Sequence, residues 1–113
     1  MTPLTIAVRY GLKDKVEILL KAGADPSFPR NENWAPLHWA AATNNIEIAE
    51  MLIKAGANVN ATDVYGGKNT PTMIAALWGY KDFISFMESA GANMDARNEN
   101  GETYGIAVWI TEK

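Results

Sequence analysis

The stretch Ala35-Pro36-Leu37-His38-Trp39-Ala40 decides the fold, because close variants of it stand on either side in the chain. The variants are Thr2-Pro3-Leu4-Thr5-Ile6-Ala7 and Thr70-Pro71-Thr72-Met73-Ile74-Ala75. A Gly-Ala pair follows 20 residues after each proline, at Gly23, Gly56 and Gly91. Such internal similarity predicts a stack of like units rather than one irregular domain.

The spacing of the copies locates an insertion. Pro3 and Pro36 are 33 residues apart, whereas Pro36 and Pro71 are 35 apart. Because the distance from proline to glycine is constant, the two extra residues must lie between Gly56 and Pro71. The segment Tyr65-Gly66-Gly67-Lys68-Asn69 has the composition of a loop, and we place the insertion there.

Each unit is predicted to form two short helices. Proline suits the first position of a helix, where no N–H donor is needed. Thr2 and Thr70 can cap the helix that follows, but Ala35 cannot, which should cost the second unit about 1 kcal/mol. Helices this short are marginal alone and need a neighbour to pack against. Helix one is predicted at 3–10, 36–43 and 71–78, and helix two at 14–22, 46–55 and 81–90.

Composition narrows the class of protein. The chain has 113 residues, 48% of them apolar and 20% charged, as expected for one folded soluble domain. It has no cysteine, so disulfides and thiolate metal sites are excluded. The net charge of −3 argues against nucleic acid as a partner. No apolar run suits a membrane span and no secretion signal begins the sequence, so we expect a cytoplasmic monomer.

The period, the Pro36-Leu37-His38-Trp39-Ala40 signature and the segment 52–60 resemble the ankyrin repeat. The resemblance implies an all-α ankyrin-repeat solenoid of stacked helix-turn-helix units with hairpin-like loops. The units are predicted at about 1–33, 34–68 and 69–101, with a partial unit at 102–113. The first unit is similar to an N-terminal capping repeat, and a last helix near 104–111 should cover the third unit.

No catalytic apparatus is predicted. His38 is the only histidine, whereas a metal site needs several ligands and a general base needs a positioned partner. The resemblance implies that His38 bonds the backbone within and between repeats. Asn60 has two interpretations: a hairpin asparagine that bonds its own turn, which is the more common case, or a hydroxylation site as in some ankyrin proteins. We therefore predict no enzyme activity, no cofactor and no metal.

The resemblance implies a protein-binding module that uses its concave face and hairpin tips, as an inhibitor, an immunity protein or an adaptor. Trp34 and Tyr65 fall on hairpin tips and Tyr10 and Trp78 at the end of helix one, whereas Trp39 is assigned to the core. Two alternatives remain: an enzyme or small-ligand binder with a pocket near Trp34 and Trp78, and a structural solenoid that associates end to end. The predicted partner-binding residues are Arg9, Tyr10, Asn31, Glu32, Trp34, Thr43, Val64, Tyr65, Asn69, Trp78 and Glu99.

Overall fold

A computed structural model describes residues 2–27 and 34–103. This part of the chain contains six helices and no strand. The predicted last helix and the predicted site residues Asn31 and Glu32 lie outside the described residues. The helices are α1 (Pro3–Arg9), α2 (Lys13–Lys21), α3 (Pro36–Ala42), α4 (Ile46–Lys54), α5 (Pro71–Leu77) and α6 (Lys81–Ser89).

The helix pairs predicted from the repeat are confirmed. A proline begins the first helix of each pair, and each of these helices ends one residue earlier than predicted. A residue with positive φ breaks the chain between the two helices of each pair, at Gly11 (69°), Asn44 (55°) and Gly79 (73°). Asparagine tolerates this left-handed backbone better than most side chains, which explains its use in the second unit.

The helices form two layers. The first helices α1, α3 and α5 contact one another in sequence, and α2 contacts α4 in the second layer. Each first helix also packs on its own second helix, so that α1/α2, α3/α4 and α5/α6 form the first, second and third units. The molecule is elongated, measuring 41 × 26 × 22 Å. The three prolines begin the three helices of one layer.

Small side chains allow the first layer to pack closely. Ala7, Ala40 and Ala75 occupy the same position in successive units, and all three are buried. Larger apolar residues from the second helices complete the core, including Val16, Leu52, Phe83 and Met87. Because one continuous core runs through all three units, each helix pair is stabilised by its neighbours rather than by its own propensity.

The third helical residue of α1, α3 and α5 plays the same part in each unit, because its side chain accepts the N–H of the residue before the proline. Thr5 Oγ1 accepts from Thr2 at 2.8 Å, and His38 Nδ1 accepts from Ala35 at 3.1 Å. Met73 Sδ lies 3.5 Å from the Thr70 nitrogen, a weaker acceptor. In return, Thr2 and Thr70 cap the backbone N–H of Thr5 and Met73, whereas Ala35 has no side-chain oxygen.

The third unit departs from the pattern at Thr72 as well. Thr72 replaces the leucine found at Leu4 and Leu37, and it is buried. Its hydroxyl has no hydrogen-bond partner within the described chain. An unpaired buried hydroxyl is unfavourable, because it loses water without gaining a partner. The Thr72-Met73 pair therefore weakens the local polar bonding of this unit.

Polar side chains join the units beyond the second helices. Asp25, Asn58 and Asn93 each accept the N–H two residues further on, at 2.9, 2.9 and 3.0 Å. Ser27 Oγ accepts the N–H of Asn58 from the next unit, and Asn60 Oδ1 accepts the N–H of Asn93 at 2.7 Å. The Asn60 side chain thus bonds the hairpin of the next unit through its oxygen, a contact between units that the sequence did not predict.

Candidate partner-binding face

Three predicted site residues form a row across the first helical layer. Tyr10, Thr43 and Trp78 each end their helix, at α1, α3 and α5. Their spacings of 33 and 35 residues equal those of the prolines, so the row follows the stack. Tyr10 and Trp78 are both 64% exposed, and Thr43 is exposed with its hydroxyl donating to the Trp39 carbonyl.

A second row lies beside the first and includes a residue that the sequence analysis missed. Arg9 precedes Tyr10, and the repeat equates Arg9 with Ala42 and Leu77. Leu77 is 55% exposed although it lies in a helix, so it adds an apolar side chain next to Trp78. The period itself pointed to Leu77, because the predicted Arg9 occupies the same position.

Trp39 is only half-buried, so its assignment to the core was wrong in part. Its position is filled by the buried Ile74 in the third unit, and an indole is larger than that site encloses. The exposed portion lies under the Arg9 guanidinium, whose carbon is 5.1 Å from the Trp39 ring centre. The same guanidinium is 5.4 Å from the Tyr10 ring centre. These cation–π contacts hold Arg9 across the first and second units.

Trp34 is half-buried against its own unit. Its ring packs edge-on against Trp39 with the centroids 4.7 Å apart, and it lies nearly parallel to the His38 ring at 6.3 Å. Aromatic pairs of this kind are favourable beyond the area they bury.

The inserted loop displays Val64 and Tyr65, both exposed, with Tyr65 at 77%. Asp63 beneath them is buried, and its carboxylate accepts the Asn69 N–H at 3.1 Å. The Asp63 N–H donates to the Asn69 carbonyl at 2.9 Å, which closes the loop. A Cβ on Gly66 would lie 2.8 Å from Asp63 Cγ, so a larger residue here would have to displace the Asp63 carboxylate. The loop is therefore closed by its own hydrogen bonds.

His38 joins this loop to α3. Its Nδ1 accepts the Ala35 N–H, so Nε2 carries the proton and donates to the Asn69 carbonyl at 2.8 Å. Burial lowers the pKa of the imidazole, against the opposing effects of the Asn69 carbonyl and the Asp63 charge. His38 is thus a neutral structural side chain, and the predicted backbone-bonding role is confirmed.

The remaining predicted residues lie at the hairpins. Asn69 uses its side chain within the structure: Nδ2 donates to the Gly66 carbonyl at 2.7 Å, and Oδ1 accepts from Asn98 Nδ2 at 3.0 Å. Glu99 is exposed, and its N–H donates to the Gly67 carbonyl at 2.7 Å. Asn69 therefore positions the loop that carries Tyr65, whereas Glu99 offers a carboxylate beside it.

The described residues also bear on other kinds of site. Two open cavities are lined by described residues, one by α1 and α2 and one between α2 and α4, and neither includes Trp34 or Trp78. In residues 2–27 and 34–103, no three His, Asp or Glu side chains are grouped so as to hold a metal ion. Across the same ranges, no helix has the length and apolar character needed to cross a membrane.

Comparison with known proteins identifies the family. A family model described as ankyrin repeats in three copies matches residues 1–63. The chain therefore belongs to the ankyrin-repeat family, as the described helix pairs and their period indicate. Ankyrin repeats are generally protein–protein interaction modules, so the fold defines the class as a binding repeat.

The similar proteins are much longer than this chain. Ankyrin repeat and KH domain-containing protein mask-1 of Caenorhabditis elegans is 36% identical, over 96% of this chain and 4% of its own length. Ankyrin repeat and KH domain-containing protein 1 of Homo sapiens is 33% identical, over 90% and 4%. The putative palmitoyltransferase ZDHHC13 of Danio rerio is 31% identical, over 90% and 21%. The chain thus spans a small part of each relative.

Proposed function

We propose that the chain binds a partner protein through a face formed by the row Tyr10–Thr43–Trp78 and the adjoining Arg9, Trp39 and Leu77. The observation that carries this proposal is the exposure of Tyr10 and Trp78 at equivalent helix ends, with Leu77 beside Trp78. Exposed aromatic side chains of this size are enriched among the residues that dominate binding energy. We refer to Arg9, Tyr10, Trp39, Thr43, Leu77 and Trp78 as the aromatic face.

The rigidity of this face supports the proposal. Tyr10 and Trp78 are attached at helix ends that belong to a continuously packed layer, and Arg9 is held over two rings. Binding costs less when the side chains of the interface are already ordered before the partner arrives. The hairpin residues Val64 and Tyr65 extend the surface from the inserted loop, which is itself closed by Asp63 and Asn69.

Within this proposal the chain acts as a non-enzymatic module: an inhibitor, an immunity protein or an adaptor. A cytoplasmic monomer that binds one protein at a time fits this role. The aromatic face mixes one cation with apolar rings, whereas a nucleic-acid site would require several clustered basic groups. The partner is accordingly expected to present apolar side chains, with a carboxylate placed to meet Arg9.

Quantitative capture from lysate of the source cells tests the proposal. Immobilised wild-type protein would be compared with Tyr10→Ala and Trp78→Ala, and with Lys54→Ala as a matched control. Lys54 is exposed at the end of α4, in the other helical layer. We expect the same captured protein with wild type and control, and a loss of about 10-fold or more in affinity with each aromatic variant. Equal capture by all four proteins would refute the proposed face.

A further inference from the structure

The last hairpin of the described chain carries an asparagine that is followed by glycine, Asn100-Gly101, and no other asparagine in the sequence has this neighbour. The backbone nitrogen of the following residue can attack the side-chain amide of an asparagine and displace ammonia. A Cβ on that following residue hinders the attack, and glycine has none. Both residues are exposed, and a Cβ built on Gly101 would meet no atom within 4 Å outside its chain neighbours. The surroundings of the attacking nitrogen are therefore sterically open.

The side chain of Asn100 is held more loosely than those of most other described asparagines. Its Nδ2 donates to Glu102 Oε1 at 3.5 Å, near the outer limit of a hydrogen bond. Other asparagines accept a hydrogen bond of 3.0 Å or less with the side-chain oxygen, namely Asn45, Asn58, Asn60, Asn69, Asn93 and Asn98. Such a side chain must break a strong bond before its amide carbon can turn toward the backbone, whereas Asn100 gives up one weak contact.

One backbone hydrogen bond opposes the attack. The Gly101 N–H donates to the Asn98 carbonyl at 2.9 Å and closes the turn 98–101, so this bond must open first. An exposed turn at a hairpin tip opens at a lower cost than the packed helices do. The Arg97 guanidinium donates to the Gly101 carbonyl at 2.7 Å, and its positive charge favours loss of the proton from the nitrogen of the same residue.

We propose that Asn100 is a site of spontaneous deamidation, and that the reaction releases the contact between this hairpin and the inserted loop. The Gly101 nitrogen gives its proton to hydroxide and forms a bond to Asn100 Cγ. The bond from Cγ to Nδ2 breaks, and the amide group leaves as ammonia after taking a proton from water. Water then opens the resulting five-membered imide at either carbonyl, which gives aspartate or isoaspartate. Ammonia is lost and water is gained, with no oxidation or reduction, and the proposal does not rest on the aromatic face.

Asn98 is the residue through which the change reaches the inserted loop. Its Oδ1 accepts the N–H groups of Asn100 and Glu102 at 2.9 and 3.0 Å. Its Nδ2 donates to Asn69 Oδ1 at 3.0 Å. In isoaspartate the chain runs through the side-chain carbons, so an extra backbone atom separates residues 100 and 101. The two N–H groups then no longer fit one oxygen, and Asn98 loses the orientation that holds Asn69.

The new negative charge acts in the same direction. Either product places a carboxylate at position 100, where the native amide donates to Glu102. Glu99 precedes this position, and its N–H donates to the Gly67 carbonyl of the inserted loop at 2.7 Å. Three neighbouring carboxylates repel one another, although water and salt screen much of the repulsion at an exposed tip. The altered backbone of isoaspartate should therefore loosen the loop more than the charge alone does.

Ageing the purified chain in a mildly alkaline buffer tests the reaction. Peptide mass spectrometry measures the loss of the side-chain amide at each asparagine over time. We expect Asn100 to react about 10-fold or more faster than any other asparagine, and faster still as the pH rises. A matched Asn100→Gln variant should remain unmodified at this position, because the same attack would have to close a larger ring. Comparable rates at all asparagines, or a faster reaction at another one, would overturn the proposal.

Amide hydrogen exchange tests the coupling to the inserted loop. In the deamidated protein we expect the Glu99 and Asn69 amides to exchange about 10-fold or more faster than in fresh protein, because the bonds that protect them open more often. The amide of Val16 in α2 should be unchanged. Aged Asn100→Gln controls for other effects of ageing. The coupling is refuted if these loop amides keep their native exchange rates after deamidation, or if aged Asn100→Gln shows the same acceleration.

Discussion

Replacing His38 by alanine should destabilise the protein through the hydrogen bonds that link α3 to the inserted loop. The imidazole is fully buried and bonds the Ala35 N–H and the Asn69 carbonyl at 3.1 and 2.8 Å. The substitution removes both bonds and leaves a cavity where the ring was. It also loosens Asn69, whose backbone closes the loop that displays Val64 and Tyr65.

The expected loss of unfolding free energy follows from the hydrogen bonds that Ala35 and Asn69 lose or keep. The Ala35 N–H would lose its acceptor, which costs about 1–3 kcal/mol for a buried donor. The Asn69 carbonyl would keep the Asp63 N–H at 2.9 Å, so the loss there is about 1 kcal/mol. Loss of the buried ring adds about 1–2 kcal/mol. We expect His38→Ala to lower the free energy of unfolding by about 4 kcal/mol, a large share of the roughly 5–15 kcal/mol typical of a domain.

Urea unfolding at neutral pH, followed by tryptophan fluorescence and far-UV circular dichroism, measures this change. His38→Gln serves as the matched control, because a glutamine amide supplies both an acceptor and a donor. Glutamine should recover part of the loss if hydrogen bonding is responsible. A loss below about 1 kcal/mol for His38→Ala would refute the reasoning, and equal losses for alanine and glutamine would assign the effect to packing alone.

Three further predictions concern stability. Because burial lowers the pKa of His38, the unfolded chain binds a proton at this histidine more readily than the folded chain does. The free energy of unfolding should therefore be constant above pH 6.5, the usual pKa of histidine. Below pH 6.5 it should fall by up to about 1.4 kcal/mol per pH unit. Urea titrations between pH 7.5 and about 5 should show this fall in wild type but not in His38→Gln, and parallel curves would contradict it. Ala35→Thr should stabilise the protein by about 1 kcal/mol in the same assay. The reason is that the backbone at Ala35 (φ −73°, ψ 163°) matches that of the capping residue Thr70 (φ −86°, ψ 164°). No gain in stability would show that the hydroxyl fails to cap α3. Thr72→Val should stabilise by about 1 kcal/mol on thermal unfolding, because it removes an unpaired buried hydroxyl at nearly constant shape, whereas a loss would mean that the hydroxyl has a partner in solution.

Much of the fold could be predicted from the sequence, because its signals are local. Proline at the first helical position and glycine after the last are short-range backbone preferences, and they recur here with a measurable period. Thr72 and Met73 also stand out in the sequence, because leucine and histidine occupy these positions in the second unit. The role of His38 followed from the resemblance, and the bonds to Ala35 and Asn69 confirm it.

The candidate site was only partly predictable, because exposure depends on what lies opposite. Trp39 was assigned to the core, but its ring is larger than the position encloses and extends under Arg9. Leu77 and Ile18 have the pattern of ordinary apolar helix residues, and only the packing of the described chain shows that both are more than half exposed. Asn60 has the pattern of a turn residue, yet its oxygen is used by the next unit.

The sequence by itself determined that helix pairs repeat and where two residues are inserted. It also located the beginning and end of each helix to within one residue. These properties depend on backbone preferences within a few residues of chain. The tertiary structure alone decided which side chains meet: that Arg9 lies over Trp39, that Asn69 closes the loop, and that Asn60 bonds the next unit. The physical reason is that burial and hydrogen-bond pairing across units involve residues about 30 positions apart, which come together only when the helices stack.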